Sequence, residues 1–223
     1  MTLVTTRILS LVGAATLSLG CAAGPGGGGG GKGQGAGLVA ASGEAPTSEV
    51  EADLVFMREE EKLARDVYAA FADVDSVFVN IGAAEQRHMD AVGQLLSRYA
   101  LPDPTAGKAA GEFSDPALQA LYDSLIEKGS TSRVAALTVG AEIEEVDLVD
   151  LAAALEGTTM PDVRQVFENL SRASRNHLRA FHDALGAEGV DYTPVHLDAA
   201  DYDAIVSSGR ERGGGMGDGR GGH

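Results

Sequence analysis

Cysteine is nearly absent: Cys21 is the single thiol of a 223-residue chain. No intramolecular disulfide can form, and every zinc pattern built on paired cysteines is excluded, so any metal must be held by oxygen and nitrogen. Tryptophan is missing, and basic residues are scarce, with 17 Lys and Arg against 33 Asp and Glu and a formal charge of -16. The imbalance sits in the middle of the chain, residues 48–208, where 30 acidic residues face 12 basic ones. A surface of that sign repels phosphate and has no counterion release to drive binding, which excludes nucleic acid as a partner and favours cations. Long apolar runs are lacking too. The stretch at residues 8–19 is too short to span a bilayer, and no second run offers another membrane segment.

Arg7 followed by that short apolar stretch reads as an export signal. Residues 17–21 resemble a bacterial lipoprotein cleavage site, with Ser18 where leucine usually stands. Residues 1–21 are therefore expected to be a signal that leaves Cys21 as a lipidated first residue, with ordinary secretory cleavage as the alternative. The protein is expected outside the cytoplasm, in the periplasm or on the cell surface, held at the membrane by a lipid anchor alone, or else secreted. Residues 22–47 are glycine-rich and read as a flexible tether, and residues 209–223 as a second disordered tail.

Between the tails, apolar residues recur at helical spacing with no alternating pattern, which predicts an all-α domain over residues 48–208. Four long segments stand out. The first covers about 48–72 and the second about 77–100, and a turn short enough to make them antiparallel neighbours joins them. Residues 101–129 carry three prolines and one amphipathic stretch near 117–127, and read as a long connection. The third segment covers about 131–155, and the fourth starts at Pro161, a residue suited to a first helical turn, and ends near 186–189.

Steps of three and four along each segment trace the face turned to a bundle core. Every such face is apolar at its ends and polar in the middle: Glu61 in the first segment, Glu85 with His88 in the second, Glu144 in the third, Ser174 with His177 in the fourth. Glu61 lies as far from the end of its segment as His88 from the start of the next, so they share a height. Glu144 and His177 agree to about one turn. Burying three carboxylates on one level demands positive charge, which two divalent cations would supply. The other reading is a metal-free hydrogen-bonded network that fixes bundle register. Glu145 is kept as an alternative to Glu144, because a shared bend could turn it inward. Tyr68 is either a core aromatic or a hydrogen-bond donor to a ligand, with a redox role open to it. Glu59, Glu60 and Glu142 lie mostly off the core face and are expected in solvent, as is Glu145 if it is no ligand. His182, His196 and His223 show no partner pattern.

Glu85-Gln-Arg-His88 fits the ExxH element of the ferritin-like superfamily, in which two helices each contribute a Glu and two contribute ExxH. The runs MREEEKLARDVY (57–68), EQRHMDAV (85–92), VGAEIEEVDLVDL (139–151) and SRNHLRAF (174–181) are similar to an uncharacterised bacterial and archaeal family labelled domain of unknown function 2202, over roughly residues 51–206. The resemblance implies a ferritin-like four-helix bundle with a long crossover between the second and third long helices. It also implies a dinuclear centre of iron first, with manganese or zinc next, that reacts with oxygen or peroxide as an oxidoreductase. Competing functions are a binding module that sequesters metal without turnover and a bundle that only displays surfaces. Ser174 departs from the pattern by standing where a fourth glutamate is expected. Three carboxylates against two divalent ions would leave one positive charge to draw in an anion.

Overall fold

The computed structural model describes residue 38 and residues 43–212. The expected signal, Cys21, most of the tether and the end of the tail lie outside these residues. The described chain is all-helical, with six helices and no strand among the described residues: α1 (Ser48–Ala70), α2 (Ser76–Arg98), α3 (Pro116–Gly129), α4 (Arg133–Gly157), α5 (Pro161–Ala187) and α6 (Ala199–Val206). Local chemistry sets the starts. Thr47, Asp75, Asp115, Ser132 and Asp198 each turn a side-chain oxygen onto a free backbone N–H of the first turn, and Pro116 and Pro161 occupy positions where the missing N–H costs nothing. No helix among the described residues is long and apolar enough to cross a membrane.

The four long helices close into a ring: α1 packs on α2 and α4, and α5 packs on α4 and α2. Arg98 at the end of α2 pairs with Asp162 at the start of α5 at 2.7 Å, which fixes those two helices antiparallel. Residues 99–132 therefore carry the chain from one end of the ring to the other. The amphipathic stretch within that crossover is the helix α3, which covers α1 and α4. The eight-residue α6, which sequence periodicity leaves as a trailing segment, packs on α5.

The crossover is fastened to two turns of α1. Arg58 pairs with Asp103 at 2.9 Å, and Lys62 donates to the Ala109 carbonyl at 2.8 Å while lying over the Phe113 ring. Asp66 accepts from the Gly111 N–H at 2.9 Å and from Lys62 at 2.5 Å. Glu59 accepts from the backbone N–H groups of Ser114 and Asp115, at the entrance to α3. Glu59 is consequently buried, where its off-face position predicts solvent. Glu60 is buried as well, beneath α3, while Glu142 is half-buried and pairs with Lys128.

Two apolar clusters fill the ring. One gathers Leu63, Tyr68, Phe78 and Phe181, the other Leu54, Leu95, Phe167 and Leu170. Gly140 allows the closest approach: a Cβ there would lie 2.2 Å from a Phe181 ring carbon, so only glycine lets that ring reach Tyr68. A polar layer separates the clusters.

Candidate metal centre

Each helix of the ring sends its mid-face polar residues into that layer. Glu61, Glu85 and Glu144 are 2, 3 and 2 % exposed, far below what an unpaired carboxylate tolerates. Their ligand atoms form two trios, Glu61–Glu85–His88 and Glu85–Glu144–His177, within each of which the atoms lie inside 4.8 Å of one another. Glu85 belongs to both. His88 Nδ1 stands 2.7 Å from Glu85 Oε2 and 3.3 Å from Glu61 Oε2. His177 Nδ1 stands 2.9 Å from Glu85 Oε1 and 3.5 Å from Glu144 Oε2, yet is not aligned for a hydrogen bond to either. The two imidazoles stack with centroids 5.6 Å apart.

Tyr68 takes both of its expected parts at once. Its ring packs between Phe78 and Phe181, and its hydroxyl donates to Glu144 Oε1 at 2.5 Å. Ser174 is not a bare gap. Its hydroxyl donates to Asp147 Oδ2 and lies 3.1 Å from the Leu170 carbonyl oxygen. Asp147, one turn beyond Glu144 on α4, is buried, and its charge acts on Glu61, Glu85 and Glu144. The layer thus holds a further carboxylate beside Glu61, Glu85 and Glu144, and a count of three carboxylates against two divalent ions no longer describes it. Spacing by threes and fours assigns Leu148 to the core face and passes over Asp147; the available signal is its i+3 relation to Glu144.

Glu145 is turned away from the layer. Its fully buried carboxylate accepts from the Tyr192 hydroxyl at 2.5 Å and from the N–H groups of Val195, His196 and Leu197 at 2.9, 2.7 and 2.8 Å. It fastens the segment before α6 and has no free lone pair for the centre. His182 meets the Tyr202 hydroxyl at 2.8 Å, another α5–α6 contact.

The electrostatics are those of too much buried negative charge. Burial pushes the Glu61 carboxyl well up, and Asp147 adds to it; burial likewise raises Glu144. Asp147 is pushed up to about 7 by burial and by Glu144. Burial works against protonation of the two histidines, but the carboxylates outweigh it, raising His177 to about 10 and His88 well above its usual value. Glu85 goes the other way: burial raises it, and the two imidazoles overcome burial and hold it well below the usual carboxylate range. Glu61 Oε1, Glu85 Oε1, Asp147 Oδ1 and His177 Nδ1 are buried with no hydrogen-bond partner. Orphaned oxygens beside a misaligned imidazole nitrogen fit an ion better than a finished hydrogen-bond network.

Comparison with known proteins agrees with the extent of the helical domain. Residues 51–209 match the family described as an uncharacterized protein domain, DUF2202. The uncharacterized protein MJ0754 of Methanocaldococcus jannaschii is 45% identical over 178 residues, covering 78% of this chain and 96% of that protein. The crystal structure of hypothetical protein MJ0754 superposes with a TM-score of 0.74 at 44% identity, over 75% of this chain and 97% of that one. A DUF305 fragment from Deinococcus radiodurans shares the fold alone, with a TM-score of 0.51 at 16% identity over 65% of this chain and 99% of the fragment.

Proposed function

The chain belongs to the DUF2202 family, so its chemistry has to be read from its own side chains, and we propose that it is a dinuclear metal protein of the ferritin-like kind. Glu61 and His88 hold one ion, Glu144 and His177 the other, and Glu85 is shared. The observation that carries this is the pair of buried trios with one carboxylate in common. The closed ring of four long helices and its single end-to-end crossover support the ferritin-like bundle. Iron is taken as the leading metal, with manganese or zinc next; carboxylate and imidazole donors without thiolate suit all three.

A bound pair of iron or manganese ions would supply redox chemistry toward oxygen or peroxide. The chain's own residues bind, orient and exclude water. Glu85, flanked by both imidazoles, is already ionised and ready to be shared. Tyr68 donates its hydroxyl hydrogen bond to Glu144 Oε1 and leaves Oε2 directed at His177. Ser174 orients Asp147, whose charge adds to that facing the two ions. The apolar clusters close the layer at its two ends along the bundle. The proposal also includes export and lipidation at Cys21, which rest on the sequence.

Anaerobic titration of the chelator-treated protein with ferrous and manganous ions, followed by calorimetry and metal analysis, tests the centre. Two ions per chain are expected, falling to one or none in Glu85→Gln. Fewer than one ion per chain in the wild type would make the layer a metal-free polar network and overturn the proposal.

A further inference from the structure

Above the two histidines, on the α2–α5 side, lies a cavity of about 620 Å³, a size that suits a small organic ligand. His88 and His177 line it, each with its Nδ1 engaged toward the carboxylates and its side chain 13 % exposed. The same opening is lined by Arg87 of α2, Arg172 and Arg179 of α5, and Arg210 of the segment after α6. Four guanidinium groups around one mouth are out of character for a chain whose formal charge is -16. Against them stand only Asp183 and Glu211 among the lining residues.

Glu211 shows what the wall accepts. Its carboxylate takes two bonds from Arg175 at 2.7 and 2.5 Å and one from Arg179 at 2.9 Å, while Asn176 holds its backbone. One carboxylate from the chain itself is thereby bound in fork geometry at the edge of the cavity. Arg87 and Arg210 make no ion pair among the described residues, and Arg172 donates only to Asn169. Between these charges the lining mixes apolar Val77, Ile81, Ala84 and Ala180 with polar Asn80 and Asn176. Unpaired guanidinium groups call for an anion rather than a neutral molecule, and the apolar side chains between them favour an organic carboxylate over a bare phosphate, which has no apolar part to lay against them.

We infer that this cavity binds a small organic carboxylate and seats it over the histidine edge of the metal centre. The inference rests on the dinuclear reading for what lies beneath. It places anion selectivity at the arginine rim rather than in the carboxylate-rich layer beneath.

The test uses the full chain and 4-fluorobenzoate as probe, with 4-fluorobenzamide as the uncharged isostere and inorganic phosphate as the bare anion. Titrations followed by fluorine NMR are run on chelated and on manganese-loaded protein. Fluorobenzoate should bind both forms, at least tenfold more tightly than the amide and than phosphate, and manganese should broaden its resonance. The double variant Arg87→Ala/Arg172→Ala should weaken binding tenfold or more, while Arg164→Ala, remote from the cavity, should change it less than twofold. Equal binding of acid and amide, preference for phosphate, or no binding by manganese-loaded protein overturns the inference and leaves the metal reading standing. Binding of fluorobenzoate by a protein that takes up no metal keeps the carboxylate site and overturns the dinuclear reading instead.

Discussion

Raising the pH of the metal-free protein should loosen it, and metal should reverse the trend. Groups whose folded pKa is raised stabilise the fold below their unfolded value and lose that contribution as pH rises through the folded one. Between pH 5.5 and 8.5, Asp147, raised to about 7, is already ionised in the unfolded chain and must ionise inside the bundle. That costs about 2 kcal/mol, at about 1.4 kcal/mol per pH unit. His177, raised to about 10, keeps its proton in the fold while the unfolded chain sheds it above 6.5, costing about 3 kcal/mol by the same conversion. Glu60, Glu61, Glu144 and His88 shift in the same direction, whereas Glu85, held low, contributes equally across this window. A loss on the order of 4–5 kcal/mol corresponds to roughly 10–20 °C in Tm for a domain of this size. Melting followed by circular dichroism at pH 5.5, 7 and 8.5, with chelator and with saturating manganese, measures it. With metal the fall should vanish or invert, because the ions displace the same protons and bind better as pH rises. A metal-free Tm that stays flat or climbs from pH 5.5 to 8.5 would refute the electrostatic account of the layer.

Two further substitutions separate the layer from its surroundings. Ser174→Glu should destabilise the metal-free protein by about 2–4 kcal/mol, since it removes the donor to Asp147 and buries a fifth carboxylate; metal uptake no tighter than wild type in calorimetry is expected, and a large gain would restore the three-carboxylate arithmetic. Glu145→Gln should leave metal stoichiometry unchanged while hydrogen exchange of residues 192–206 accelerates at least tenfold, because a carboxylate accepting four donors is replaced by a weaker acceptor. Lost metal binding in that variant would return Glu145 to the centre.

The four long helices and the polar middle of each core face are legible in the sequence because charge in an apolar stripe at helical spacing is a conspicuous anomaly. Glu61, Glu85, His88, Glu144 and His177 all stand out that way. Asp147, Glu59, Glu60 and Glu145 do not; Asp147 lies inside the layer itself and Glu60 beneath α3, and one cause covers Glu59 and Glu145. Stepping along a single face assumes that a helix has one buried side, but α1 and α4 are covered on further sides by α3, by the crossover and by the segment before α6. Those covering pieces bind through backbone N–H groups, which carry no side-chain signature. An acidic residue that receives them looks in sequence like one facing water. The eight-residue α6 is missed for a related reason: its pattern is too short to establish a period.

The way the crossover is tied to α1 makes it a handle on the polar layer. Arg58, Glu59, Lys62 and Asp66 grip residues 103–115 from the same two turns of helix that carry Glu61. A partner or a mechanical load that draws the crossover aside would therefore act on Glu61 with a lever arm of less than one helical turn. A loop well removed from the layer in sequence is thus the piece through which an outside body could most directly prise Glu61 away from the rest.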